Sequence, residues 1–299
     1  MTLEWDAAEY EVLSAPQTGW GANLLKLFLE RQDLREDEAA IDAGCGTGRV
    51  TELLLRHIPC GTVLAVDGSK AMVEAAAERF AGDPRVRVER QDLLRLEVER
   101  PVDLIFSTAT FHWIKDHERL FKRLAQALKP GGRLVAQCGG EGNIARVTRA
   151  TEEVMGEERY LEAFAGWQDP KEYADAETTR ARLEAAGFEE IETWLHEEPT
   201  RFGSVEELAR FLKTVVLRQH LSLLPEEDHE LFAAAVAAKI ASVEHPPVLD
   251  YVRLNILATR SGPDASAVEI QRITTTSPDI TGRGSEEDVL RSNKMEEKA

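Results

Sequence analysis

The strongest constraint on the fold of this chain is the run Ala40-Ile41-Asp42-Ala43-Gly44-Cys45-Gly46-Thr47-Gly48-Arg49, followed by Asp67 at the end of Val63-Leu64-Ala65-Val66-Asp67. The apolar residues before Asp42 read as a strand, the three glycines as a tight turn, and Val50 to His57 as a helix with apolar positions at helical spacing. Glycine suits such a turn because it reaches backbone angles closed to other residues and lets a ligand lie against the main chain. Asp67 follows Gly44 by 23 residues, where a doubly wound sheet places the acid that accepts hydrogen bonds from ribose hydroxyls. The two strand ends together predict a site for a nucleoside. The spacing Gly-x-Gly-x-Gly differs from the Gly-x-Gly-x-x-Gly fingerprint of dinucleotide sites, so a ligand without a pyrophosphate fits better than a nicotinamide cofactor.

Three further segments stand in order behind this one: Gln91-Asp92-Leu93 after a third strand, Phe106-Ser107-Thr108-Ala109-Thr110-Phe111-His112-Trp113 at the end of a fourth, and Leu128-Lys129-Pro130-Gly131-Gly132 before a fifth. With the glycine run and Asp67, they resemble the ordered motifs of class I S-adenosylmethionine-dependent methyltransferases over residues 39–140. The Phe-His-Trp segment is similar to the trans-aconitate methyltransferase group, and malonyl-carrier-protein methyltransferases share related segments. The resemblance implies a doubly wound, mostly parallel seven-stranded sheet of the Rossmann-like methyltransferase fold with a helical cap, and S-adenosyl-L-methionine as cofactor. It implies that Asp67 takes the ribose hydroxyls, that Asp92 and the backbone at Leu93 meet the adenine edge, that Gly68 and Met72 flank the adenine ring, and that the turn Gly44, Cys45, Gly46 admits the methionine moiety. Ser107 and Gln17 are further cofactor candidates. The implied activity is methyl transfer to a small molecule, with O-methylation of a carboxylate such as trans-aconitate first. Transfer to a hydroxyl or amine, or a non-catalytic cofactor-binding module, are the alternatives.

Methyl transfer is an in-line displacement, so the protein must mainly align the reacting atoms and exclude water. Cys45 then reads as a small turn residue rather than a nucleophile. An ionised carboxylate needs no general base. His112 and Trp113 are the catalytic candidates. An imidazole near neutrality would suit a hydroxyl or amine acceptor, whereas packing between Phe111 and Trp113 would make the ring structural. The π face of Trp113 would favour a nearby sulfonium. Asp42 is expected either one layer behind the cofactor, accepting from the glycine-loop amides or an ammonium, or as a buried structural carboxylate. An anionic acceptor calls for a cation in the cap, and Arg146, Arg149, Arg201 and Arg253 qualify equally.

The chain has 299 residues, 43% of them hydrophobic, enough for one α/β domain with a cap. Its formal net charge of −18 repels a nucleic-acid backbone. Between Ala150 and Thr200 stand 15 acidic residues against 4 basic ones, the pattern of a solvated helical face. The three cysteines, Cys45, Cys60 and Cys138, have neither paired nor metal-ligand spacing. With no secretory leader pattern and no long apolar run, the expectation is a cytoplasmic monomer or homodimer acting on a small molecule, without membrane or nucleic-acid partners.

Alternating strand and helix patterns place strands at Thr62 to Asp67, Val86 to Gln91, Val102 to Ser107 and Arg133 to Cys138. Helices fall at Ser69 to Phe80, capped by Ser69, and at His117 to Leu128. The organisation expected is a helical segment over 1–38, where Tyr10, Gln17 and Trp20 are candidates to line the site, a cofactor-binding core over 39–140, and a cap with the last strands over 141–260. In that last part Val205 to Leu217 and Glu226 to Val243 read as helices, and Phe188 to Leu195 and Leu249 to Ala258 as strands. Residues 261–299 lose the hydrophobic pattern and read as a disordered tail, with a short helix conceivable over Glu286 to Arg291.

Overall fold

The computed structural model describes residues 15–262, with side chains from residue 19. Tyr10, the side chain of Gln17 and the expected tail with its segment Glu286 to Arg291 lie outside the described residues.

Seven strands form one sheet: β1 (Ala39–Ala43), β2 (Thr62–Asp67), β3 (Val86–Arg90), β4 (Val102–Thr108), β5 (Leu128–Gly139), β6 (Phe188–Glu197) and β9 (Val252–Arg260). Their order is β3-β2-β1-β4-β5-β9-β6, with β9 antiparallel to both neighbours and the remaining pairs parallel. Two-residue strands β7 (Thr200–Arg201) and β8 (Val248–Leu249) pair separately. The chain runs outward from β1 through β2 to β3 and then returns to β4 on the other side of β1. Strand order therefore reverses between β1 and β4, where open α/β sheets leave a crevice.

Successive residues of a strand face opposite sides, and β4 shows it. Ile105 packs with Leu120, Phe121 and Leu124 of α4 (His117–Ala127) and Leu183 of α6 (Ala176–Ala185), whereas Leu104 and Phe106 pack with α1 (Ala15–Leu29) and α2 (Arg49–His57). α1, within the helical segment expected over 1–38, already buries Trp20 in its second turn. Ser69 caps α3 (Lys70–Arg79) as expected, accepting from Met72 N–H at 3.5 Å. The fifth strand differs from the expectation: it starts at Leu128, and Lys129 to Gly132 forms a bulge in it. Its register with β4 jumps from Val102↔Leu128 to Leu104↔Arg133, and Gly131 sits at φ +76°.

The cap has its own apolar core. Ile144, which precedes α5 (Ala145–Met155), Val147 within it, Phe211 of α7 (Val205–Phe211) and Phe232 of α9 (Glu226–Val243) belong to it, and Trp20 and Tyr251 carry it to the sheet. The helix expected over Val205 to Leu217 widens after Phe211 into a π turn, Leu212–Val216, followed by the short helix α8 (Arg218–Leu221). No helix among the described residues is long and apolar enough to cross a membrane.

Candidate active site

A cleft of about 370 Å³ opens at the carboxyl ends of β1, β2, β3 and β4. Gly44, Gly46 and Gly48 all lie at positive φ, +83°, +54° and +88°, angles that strain any other residue. Their surroundings separate their roles. A Cβ on Gly44 would fall 2.0 Å from Thr110 Oγ1 and one on Gly48 2.5 Å from Phe80, but one on Gly46 would meet nothing within 4 Å. The outer glycines let protein pack against the turn, and the middle one leaves its face open to a ligand. The turn is tied down by the Gly44 and Cys45 N–H groups, which donate to the Val66 carbonyl at 2.8 and 2.9 Å.

Asp67 closes the turn from β2. Its Oδ2 accepts from Gly46 N–H at 3.0 Å and its Oδ1 from Ser69 N–H at 2.8 Å. Asp67, Gly68, Met72, Asp92 and Leu93 all line the cleft beside Gly44 and Gly46. Asp92 caps the short turn Leu93–Arg95 by accepting from Leu94 N–H at 2.9 Å.

Other candidates sit elsewhere. Asp42, 1% exposed, accepts from the Thr51 hydroxyl at 2.6 Å through Oδ2, and its Oδ1 has no hydrogen-bond partner among the described residues. Burial pushes its carboxyl up to about 7, against the Thr51 bond, which favours the ionised form. It takes no glycine-loop amide; that role belongs to Asp67, because Asp42 turns toward α2 behind the loop. The Ser107 hydroxyl donates to the Ala43 carbonyl at 2.6 Å, so it joins β4 to β1 instead of facing the cleft. Cys45 is buried against Ala65 and Ala76, away from the cleft wall, and burial holds its thiol protonated. Gln17 lies on α1, and its side chain is outside the described residues.

His112 and Trp113 belong to the short turn Phe111–Trp113, reached through Ala109 at φ +54° and Thr110. Trp113 and Ala109 line the cleft and also a second, small cavity of about 50 Å³ behind it. His112 lines only the second. Its Nδ1 accepts from Gly139 N–H at 3.2 Å; since an amide N–H only donates, the neutral ring is assigned its proton on Nε2. Burial, then the charges of Arg253 and Lys171, hold its pKa well below the usual histidine value. The ring is a neutral donor and a poor base.

Arg253 on β9 also lines this cavity, 2% exposed, with its guanidinium over the Trp20 ring at 4.3 Å. Its Nε and Nη2 have no hydrogen-bond partner among the described residues. A buried cation is costly unless something pairs with it, so the cavity suits an anion. Of the four arginines that the sequence left equal, Arg146 and Arg201 are exposed and pair with Glu244, and Arg149 is exposed. One partial signal was available: Arg253 stands between the apolar residues Val252 and Leu254 of β9, although Asn255, Thr259 and Arg260 of that strand are polar too. Lys171 and Tyr173, which complete this wall, carried no such signal.

A family model described as a methyltransferase domain matches residues 41–134. The trans-aconitate 2-methyltransferase of Rhizobium meliloti (strain 1021) is 30% identical over 265 residues, covering 87% of this chain and 100% of that protein. Among solved structures, the YcgJ protein of Bacillus subtilis superposes with a TM-score of 0.56 at 14% identity over 81% of this chain and 100% of that one. Phosphoethanolamine N-methyltransferase 2 of Haemonchus contortus, in complex with phosphomonomethylethanolamine and S-adenosylhomocysteine, superposes with a TM-score of 0.52 at 21% identity over 81% of this chain. The match covers 53% of that structure, so the chain spans about half its length. At such identities the two structures speak to the fold.

Proposed function

The chain belongs to the class I S-adenosylmethionine-dependent methyltransferases, and from that premise we propose that it O-methylates a small carboxylic acid, with trans-aconitate, the acceptor in its relative's name, the first to try. The residues present fit the cofactor: the open face of Gly46 would be filled by any Cβ, and the Asp67 carboxylate, an acceptor for hydroxyl donors, stands beside it in the same cleft. Asp92 and Leu93 would meet the adenine, and Met72 and Gly68 would flank it.

The observation that carries the acceptor class is the orphaned Arg253 guanidinium in a cavity that shares Ala109 and Trp113 with the cleft. Guanidinium pairs with a carboxylate through parallel N–H···O bonds. When bound, the cofactor supplies a methyl carbon activated by a positively charged sulfur. Arg253 holds the acceptor carboxylate, already ionised at neutral pH, so no proton has to be removed. His112, with its proton on Nε2, offers a hydrogen bond on the same wall, and Trp113 with Ala109 keeps water from the line between the two cavities. A hydroxyl or amine acceptor would call for a base, and a histidine with so low a pKa serves poorly.

The test is transfer of label from methyl-labelled S-adenosylmethionine to a panel of carboxylic acids, phenols and amines. Base-labile methyl esters are expected from the wild type, and Arg253→Met should lose them while still binding cofactor. Label on hydroxyls or amines with none on carboxylates overturns the acceptor assignment.

A further inference from the structure

A third cavity, of about 220 Å³, lies on the cap side of the Arg253 chamber. The two share Ile144, Lys171 and Val216 as a common wall. Two of that wall's members are conformational exceptions. Ile144 has φ +50°, rare for a β-branched residue, and is pinned there by its N–H to the Asp250 carbonyl at 3.0 Å; Val216 ends the π turn. Such outliers persist where the surrounding structure enforces them, often at ligand sites. Ile144 and Val216 are stiff at χ1, so the two chambers join only through a swing of the long Lys171 side chain, whose ammonium Asp169 holds.

Inside this chamber two polar side chains are buried without partners. His220 is 6% exposed with no hydrogen-bond partner for Nδ1, and Thr151 is 3% exposed with none for Oγ1. The remaining wall is largely apolar, including Val147, Trp167 and Leu217. Its charges cancel. Lys171 Nζ lies 2.9 and 3.0 Å from the two carboxylate oxygens of Asp169, and Glu152 is exposed at the rim. Burial, with the Lys171 charge, holds His220 down to about 4, so it is neutral near pH 7. The Arg253 chamber thus offers a cation without a hydrogen-bonded acid, and its neighbour offers neutral hydrogen-bonding groups in an apolar shell. A second ionised carboxylate placed there would face Asp169 and Glu152 with the one nearby cation already paired.

We propose that this chamber is a second acceptor subsite, which takes an uncharged tail bearing a hydroxyl or similar group for His220 and Thr151, so that an elongated monocarboxylate is preferred over a tricarboxylate such as trans-aconitate. The volume admits on the order of seven water-sized groups. The inference rests on the carboxylate reading for its first subsite, but the tail can be tested apart from it.

The probes are acetate, hexanoate, 6-hydroxyhexanoate and hexan-1-ol, titrated calorimetrically into the full chain with S-adenosylhomocysteine present, and the three acids are also assayed as methyl acceptors. In the wild type 6-hydroxyhexanoate should bind at least tenfold tighter than acetate. Thr151→Leu and His220→Phe, each checked for folding by circular dichroism, should compress that ratio to about twofold or less, and Thr151→Ser should keep it. A ratio near one in the wild type, or the wild-type ratio retained in both chamber-filling variants, overturns the subsite. If hexan-1-ol binds, and its binding is lost in Thr151→Leu, while no acid is methylated, the carboxylate reading falls and the chamber stands. If acids are methylated without regard to length, the chamber falls and the carboxylate reading stands.

Discussion

Asp67 and Gly46 are joined across the mouth of the cleft: the carboxylate at the end of β2 accepts the backbone N–H of the middle glycine of the turn at 3.0 Å. The acid that is to hold a ribose also fixes the loop on which that ligand lies, so ligand contact and loop geometry change together when Asp67 changes.

Asp67→Ala should therefore weaken S-adenosylmethionine binding about ten- to a hundredfold or more, since each hydrogen bond to a charged group contributes about 1.5–3 kcal/mol. Calorimetry is the measurement. Equal affinity for wild type and variant would reject the placement of the ribose.

The two glycines Gly44 and Gly46 should respond differently to alanine. Both variants carry the strain of a left-handed residue, about 1–2 kcal/mol. In Gly44→Ala the Cβ also overlaps Thr110, whereas in Gly46→Ala it enters open space. Thermal denaturation should show the larger loss of stability for Gly44→Ala, and Gly46→Ala should lose mainly cofactor affinity. The reverse ranking would mean that the open face of Gly46 is not the ligand side.

Asp42 should give the stability a pH dependence. Its folded pKa, about 7, lies above the ordinary 3.8, so folding takes up a proton between those values. The contribution is complete below about pH 4 and is lost as pH rises through 7. Asp42→Asn, which keeps an acceptor for the Thr51 hydroxyl, should flatten the fall in stability between about pH 4 and 7 seen in urea denaturation. An unchanged slope would place the titration elsewhere.

His112→Gln should leave the pH profile of methyl transfer to a carboxylate flat between pH 6 and 9, as in the wild type, with kcat lower by less than about tenfold. A catalytic base would give a loss of about 10²–10⁴-fold and an ionisation in the wild-type profile. Stopped assays across that pH range decide between the two.

The sequence by itself determined the sheet and the crevice at its strand ends. Glycine at 44, 46 and 48 and acids at 67 and 92 act through the backbone and through strand ends, and both are set by neighbours within a few residues: a positive φ allows few residue types, and alternation of apolar runs fixes where a strand stops. Only the tertiary structure decided what lies behind that crevice. Arg253, His112 and Tyr173 come from the last strand, the turn after β4 and the cap, and meet because β9 inserts antiparallel between β5 and β6. It also turned Asp42 toward Thr51, 9 residues away, deciding between its two readings, and moved Ser107 off the cleft onto the Ala43 carbonyl, 64 residues away. Burial and hydrogen-bond partnering are properties of packing between distant segments. Four arginines alike on paper become one buried cation and three exposed ones only when the chain has closed around them.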